Sequence, residues 1–308
     1  MAPYDRDGGR VERIAVLVNP SAGRGRQAGA IDGVLAALGP GAERLTARTP
    51  EEARQACAAA VADGADALVA VGGDGTMNLA LQAVAGTGVA LGIVPAGTGN
   101  DVAACLGLPA DPVAAARAIA TGRTRAVDLA RIEAAAGVRW SAGVTGLGFD
   151  TLVNDLANRM RFPRGPRRYD LAILLELARL RARPYRITID GGTGDGTGEG
   201  ETLEFEGVLA AVGNTARYGG GMRICPAADP HDGLLDLVYA VRVSRLTLMR
   251  IKPRVYAGTH VEHPAVHSRR GRTITVESPG ITAYADGEPA FALPVTITAV
   301  PGALTLLG

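Results

Sequence analysis

Residues Gly72-Gly73-Asp74-Gly75-Thr76-Met77-Asn78 stand between an apolar stretch, Ala65 to Val71, and a helix-like segment, Leu79 to Val84. Three glycines within four residues let the backbone bend tightly and leave no side chains in the way. Successive N–H groups can then converge on an anion at a helix start, which is the chemistry of a phosphate cradle. Asp74 is the odd member, because a carboxylate repels phosphate. Its role would be indirect, through a magnesium ion, a water or a backbone donor that it holds in place. An ordinary strand-to-helix turn would also use Gly and Asp, for their conformations alone.

Two further loops have similar character. Asn19-Pro20-Ser21-Ala22-Gly23-Arg24-Gly25-Arg26 follows the apolar run Ile14 to Val18, and Pro95-Ala96-Gly97-Thr98-Gly99-Asn100-Asp101 follows Ala90 to Val94. Helical stretches lie between these runs. An Ala- and Leu-rich segment reaches Leu38, and Thr49-Pro50-Glu51-Glu52 is a capping-box start for a helix that runs to Asp63 and is closed by Gly64. Apolar runs joined through helices predict a parallel sheet buried on both faces. Loops at the carboxyl ends of such strands form the ligand crevice, so the three loops should converge on one site. None has the GxxxxGK[ST] spacing, and none offers GxGxxG between a strand and a helix.

At 308 residues the chain is long enough for two domains. Basic and acidic residues balance, 32 against 31, so no global field marks a nucleic-acid binder. Apolar runs are strand-sized, and Met1 to Arg13 is polar and lacks the pattern of a secretory signal, which predicts a soluble protein of the cytoplasm. Cys57, Cys105 and Cys225 are isolated and odd in number, which fits reduced thiols.

From Ala126 onward β-branched and alternating segments take over: Val127 to Glu133, Tyr185 to Ile189, Glu204 to Val212, Leu234 to Val241, Thr273 to Glu277 and Ile281 to Ala285. These predict an antiparallel sheet or sandwich, with helices at Tyr169 to Leu180 and Val243 to Tyr256. Gly191 to Gly200 suits a mobile hairpin tip. Asp229-Pro230-His231-Asp232-Gly233-Leu234 and Asp286-Gly287-Glu288 both read as tight turns from spacing alone. Transfer of a phosphoryl group to a hydroxyl also needs a carboxylate able to accept its proton, and the second segment offers two. Residues 158–169 alternate arginines with Met160, Phe162 and Tyr169, which reads either as a solvated face or as a membrane-surface contact. His260, His263 and His267 are not aligned for a metal, because Pro264 interrupts the helix that would do so.

The set NPSAGRGR, GGDGTMN and PAGTGND, in that order and each after a strand, resembles the diacylglycerol kinase catalytic domain of bacterial soluble lipid kinases, a family that includes sphingosine and ceramide kinases. The resemblance continues through Gly148-Phe149-Asp150, Gly213-Asn214 with Gly219-Gly220-Gly221, CPAADPHDGLLD from Cys225 to Asp236, and Asp286-Gly287-Glu288, so it spans nearly the whole chain. It implies an α/β architecture of two parts. An N-terminal three-layer, parallel-sheet ATP-binding domain of the NAD kinase and diacylglycerol kinase type would occupy residues 1–126. A C-terminal β-rich sandwich would bind lipid over 127–293, with a strand at 294–308 returning to the first domain.

The implied activity is transfer of the γ-phosphoryl group of ATP, with Mg2+, to the hydroxyl of diacylglycerol or a related lipid. Asn19, Ser21 and Gly23 would lie near the phosphates, with Arg24 and Arg26 as charge partners. Gly72, Gly73, Asp74, Gly75, Thr76 and Asn78 would wrap the triphosphate, Gly97, Thr98, Gly99 and Asn100 would close the pocket, and Thr46 would meet the nucleotide from the second strand. Asp232 would bind the magnesium ion, with backbone carbonyls of Asp229 and Leu234. Glu288 is the favoured base and Asp286 its rival, while Asp74 and Asp128 complete the implied catalytic set. The lipid substrate places the protein at a membrane surface, peripheral on the inner face, and the family is often homodimeric. An NAD kinase shares GGDGT, but this chain lacks a clear Asn-Glu element or a Gly-Ser-Thr-Ala-Tyr segment. A non-catalytic lipid- or nucleotide-binding module would have no use for a placed base.

Overall fold

The computed structural model describes residues 11–19, 28–160, 162, 167–191 and 198–308. The chain divides into two compact units. One comprises Met1–Leu129, Pro230–Asp232 and Val300–Gly308, and the other Ala130–Asp229 and Gly233–Ala299.

In chain order the first unit contains β1 (Ile14–Val18), α1 (Ala28–Leu38), β2 (Ala42–Leu45), α2 (Pro50–Ala62), β3 (Ala67–Gly72), α3 (Asp74–Val84), β4 (Ala90–Pro95), α4 (Asp101–Cys105) and α5 (Pro112–Ala120). It also contains the start of β5 (Thr124–Ala134). The second unit continues with β6 (Gly137–Ser141), β7 (Val144–Gly146), α6 (Phe149–Arg159), α7 (Arg167–Ala178), β8 (Arg183–Gly191) and β9 (Gly198–Gly213). Then come β10 (Leu235–Val241), α8 (Arg245–Ala257), β11 (Val266–Gly271), β12 (Thr273–Glu277), β13 (Thr282–Ala285), β14 (Glu288–Ala292) and the start of β15 (Val295–Leu307), whose residues from Val300 onward belong to the first unit. Residues 192–197 of the predicted hairpin tip lie outside the described residues.

The first unit is the expected α/β/α stack. Its strands run parallel in the order β2-β1-β3-β4, and Leu306–Leu307 of β15 pair parallel with β4. Alternate residues serve opposite layers. Val16, Val69 and Val94 meet Ile31, Val34, Ala116 and Ile119 on the side of α1 and α5. Leu68 and Leu91 lie on the side of α2 and α3, where Met77, Leu81 and Val84 are buried. A Cβ on Gly92 would come within 2.8 Å of Ile119 Cδ1, so the missing side chain is what lets α5 approach β4. At the start of α2, Thr49 Oγ1 accepts from Glu52 N at 3.1 Å and Glu52 Oε2 from Arg48 N at 2.7 Å. The capping box forms with its return bond one residue early. Asp111 and Pro112 start α5 by the same logic, since Asp111 Oδ1 accepts from Ala114 N at 2.8 Å.

In the second unit β9 is the hub, antiparallel to β8, β7 and β10. The inward residues Ile187, Ile189, Ala210, Val212, Leu235, Leu237, Ile274, Val276 and Ile297 alternate along their strands and form one sandwich core. The opposite face of β9 and β10 packs Val208, Ala211, Val238 and Ala240 against Ile251 and Val255 of α8. Helix α6 falls where the sequence displays only a Gly-Phe-Asp motif. It is held by Val153 and Ala157 packing on Ala172 of α7.

Candidate active site

The carboxyl edge of the parallel sheet reverses its winding direction between β1, whose next strand lies on one side, and β3, which lies on the other. Such a switch point splays the loops and opens a crevice. Asn19 N donates to Val71 O at 3.1 Å, tying the end of β1 to β3, and Ala96 N donates to Gly72 O at 2.8 Å, tying β4 to β3. Gly73 and Gly97 then touch through their backbones, because a Cβ on Gly97 would overlap Gly73 Cα. Asn100 folds the next turn on itself. Its φ is +56°, its Oδ1 accepts from Gly97 N at 3.1 Å, and its Nδ2 donates to Gly97 O at 3.0 Å.

Helix α3 starts at Asp74, five residues before the helix-like segment read from sequence, so Asp74 to Asn78 form its first turns rather than a loop. This divides the predicted wrap. Thr76 and Asn78 are buried, and Thr76 folds over Gly72, where Oγ1 occupies the space of a Cβ. Gly73, Asp74 and Gly75 are partly exposed, and Gly97, Thr98 and Gly99 are exposed. The cap residue Gly73 has no side chain to bond the first amides of α3, which leaves a helix start suited to an anion. Asp74 Oδ2 accepts from Asp101 N at 3.3 Å and Oδ1 from Val102 N at 3.4 Å. Asp74 thus holds backbone donors and caps α4 from another loop. Thr46 is exposed just past β2, at the same carboxyl edge. Ser21, Gly23, Arg24 and Arg26 lie outside the described residues.

Asp128 is a buried acceptor within β5. Its Oδ1 accepts from Gly302 N at 2.8 Å, while its own N–H donates to Pro230 O at 2.8 Å. His231 Nδ1 lies 3.1 Å from Ala126 O, so the segment carrying Asp232 is pinned beside the same strand. Asp229 and Asp232 are exposed, and Gly233 turns the chain toward β10 with φ +75°. Among the described residues no group of three or more His, Cys, Asp or Glu could hold a metal ion. The predicted set has one carboxylate, with Asp229 and Leu234 offering carbonyls. Its oxygen-only chemistry fits a hard cation that keeps much of its water. His260 is buried with Nε2 at 3.0 Å from Ile224 O, and His267 packs against the Tyr239 ring at a tilt of 31°.

In the second unit the turn between β13 and β14 separates its two acids. Asp286, in the left-handed conformation at φ +52°, is buried with its carboxylate taken up. Oδ1 accepts from Ser141 Oγ at 2.7 Å and Gly143 N at 2.8 Å, and Oδ2 accepts from Ala142 N at 3.2 Å. Glu288, two residues on, is exposed. Partial desolvation raises its carboxyl above the usual range, the Arg139 guanidinium opposes this, and the Asp286 charge adds to it. Solvent screening at an exposed side chain keeps that shift small. Sequence reading did not find Ser141, Ala142 or Gly143. They are small residues at the end of β6 and in the turn that leads to β7, with no pattern that marks them as donors.

Asp150, at the start of α6, has burial push its carboxyl up to about 6, against the amides of Thr151 and Gly148 and the Tyr218 hydroxyl. Its Oδ2 fills the space where a Cβ on Gly146 would stand. Burial and the Asp150 charge together keep the Tyr218 phenol protonated.

Residues 13–132 match the diacylglycerol kinase catalytic domain, and residues 143–308 match the YegS C-terminal NAD kinase beta sandwich-like domain. A diacylglycerol kinase of Mycobacterium tuberculosis is 45% identical over 302 residues, 96% of this chain and 95% of that protein. A probable lipid kinase, YegS-like, of Xanthomonas oryzae is 32% identical over 256 residues, 80% of each chain. Among solved structures, a putative diacylglycerol kinase from Bacillus anthracis superposes with a TM-score of 0.75 at 23% identity, covering 96% of this chain and 97% of the other. An NAD kinase from Archaeoglobus fulgidus in complex with ATP gives 0.50 at 14%, covering 96% and 93%. At these identities the two structures speak to the fold alone.

Proposed function

Since the chain belongs to the diacylglycerol kinase catalytic-domain family of lipid kinases, we propose that it transfers the γ-phosphoryl group of ATP to the hydroxyl of diacylglycerol or a closely related long-chain lipid alcohol. The observation that carries this reading is the glycine-to-glycine contact of the Gly72–Gly73 and Gly97 loops at the carboxyl edge, closed by Asp74 on the amides of α4. The glycines there present main chain, and the start of α3 favours an anion, which supports a polyphosphate at this edge. Thr98, Gly99 and Thr46 stand at the same edge and contact the nucleotide, while Asn19 and Asn100 keep the loops in shape.

Glu288 is the general base in this reading. A base must reach the acceptor hydroxyl and be able to take a proton, and Glu288 is exposed with a carboxyl slightly more basic than usual. Asp286 has its oxygens committed to three donors and acts by positioning the turn. Asp128 positions β5 against the segment of Asp232. Asp232 and the carbonyls of Asp229 and Leu234 would hold magnesium, which supplies charge neutralisation at the phosphates when bound. The acceptor is drawn from a membrane surface, with the protein peripheral on the cytoplasmic side. No described helix is long and apolar enough to cross a membrane.

Labelled ATP with magnesium, offered diacylglycerol, monoacylglycerol, sphingosine, ceramide and undecaprenol in turn, tests the reading, with NAD as a control. Label in diacylglycerol is the expected outcome. Label only in NAD would replace it with an NAD kinase, and label in none would leave a binding module.

A further inference from the structure

We propose that α8 is a docking helix that lies flat on an anionic lipid surface. The inference rests on the reading that the acceptor is a bilayer lipid, and names the surface that meets the bilayer. Ile251 and Val255 anchor one face of α8 in the core beneath it. On the outward face Leu246, Met249, Pro253 and Tyr256 recur at intervals of three, four and three residues. At about 100° per residue they share an arc of roughly 80°. All four are exposed, Leu246 by 57%, Met249 by 55% and Tyr256 by 51%. A solvated helix face would carry charges there, and a core face would be covered.

Cations line both sides of this stripe. By the same angular count Arg245 and Lys252 fall along one flank and Arg250 and Arg254 along the other, and the helix contains no acid. Arg254 pairs with Glu262 at 3.1 Å, while Arg245, Arg250 and Lys252 are exposed. A narrow apolar band with cations on both flanks matches a plane of anionic headgroups over acyl chains. Leu246 and Met249 dip below the headgroups, Tyr256 stays at the polar boundary, and the cations remain at the phosphate level. The thirteen residues of α8 span only about 20 Å, which suits a helix lying along the surface. Charge complementarity favours this occupant over a second copy of the chain, whose own α8 would bring like charges to the contact.

Lys252 is the only lysine in the chain, which supplies a specific probe. The full chain is mixed with vesicles of phosphatidylcholine alone or with phosphatidylglycerol, and both sedimentation and acetylation of the Lys252 amine are followed. Binding should require the anionic lipid, fall with salt, and protect Lys252. Met249→Asp should reduce the bound fraction by at least tenfold and Lys252→Gln by about fivefold, a cation being worth about 1 kcal/mol at such a surface. Circular dichroism should be unchanged, because both side chains are exposed.

Turnover of a short-chain, water-dispersed diacylglycerol should be unaffected in both variants. Binding that persists in both would overturn the proposal. So would loss of binding confined to Leu174→Asp on the exposed face of α7, or a fall in oligomer mass caused by Met249→Asp without vesicles, which would make the face a contact between copies. Vesicle binding that fails while phosphorylation continues refutes only the docking helix. Vesicle binding without phosphorylation of any acceptor refutes only the kinase reading.

Discussion

Asp74 and Asp286 are both carboxylates that accept main-chain amides from a different loop, yet their settings differ in kind. Asp74 is partly exposed at the start of α3 and takes two long bonds, 3.3 and 3.4 Å, from the first turn of α4. Asp286 is buried in a left-handed turn and takes three shorter ones, 2.7 to 3.2 Å, from the consecutive residues Ser141, Ala142 and Gly143. A buried carboxylate satisfied on both oxygens is a structural acceptor. One holding longer bonds at a solvated edge can exchange them when a ligand arrives. On the proposed reading the chemistry belongs to Asp74 in the first unit and to Glu288, rather than its rival Asp286, in the second.

The largest effect should come from Glu288→Gln. Loss of a general base lowers turnover by about 10²- to 10⁴-fold, with the midpoint of urea unfolding unchanged. Near-normal turnover would give the role to its rival Asp286. In the wild type, the acid limb of the rate profile should fall off as pH drops through a Glu288 pKa slightly above the usual glutamate value, since only the ionised form accepts a proton.

Asp286→Ala should cost about 3 kcal/mol or more of stability in equilibrium unfolding, because it strips three buried donors of their acceptor and puts a Cβ-only side chain at φ +52°. Asp286→Asn keeps an acceptor and the tolerated backbone, so it should lose less. Equal losses would mean that the negative charge, not the bonding, is what the turn needs.

Asp74→Asn should lower turnover by somewhat more than tenfold, about 1.4 kcal/mol of transition-state stabilisation, while the unfolding midpoint stays put. Unchanged turnover would make it a helix cap and nothing more.

A pH-dependent effect concerns Asp150. Its folded-state pKa is raised from 3.8 to about 6, so the folded protein holds that proton more tightly than the unfolded chain. This contribution to stability is fully present below 3.8 and is lost as pH rises through about 6. Asp150→Asn should flatten the dependence over that window and stabilise the protein at pH 7 by up to about 3 kcal/mol. An unaltered pH profile of unfolding would contradict the assignment.

Legibility in the sequence followed the range of the forces involved. Ile14 to Val18, Ala67 to Val71 and Ala90 to Val94 announce buried parallel strands because a strand covered on both faces must be apolar throughout, and Thr49 with Glu52 announces α2 because capping is local. Helix α6 stayed hidden since its support, Ala172 of α7, is a tertiary neighbour, and α3 began earlier than its composition suggested since Gly73 and Gly75 are poor helix signals.

What the residues alone determined was the order of phosphate-type loops after strands, the presence of two acids in Asp286-Gly287-Glu288, and the apolar and cationic positions of α8. Only the folded chain could decide which of those acids is occupied, that Asp74 reaches across to α4, and that Thr76 and Asn78 turn inward. Each of these depends on partners 27 or more residues away or on burial, and neither residue type nor spacing carries that information.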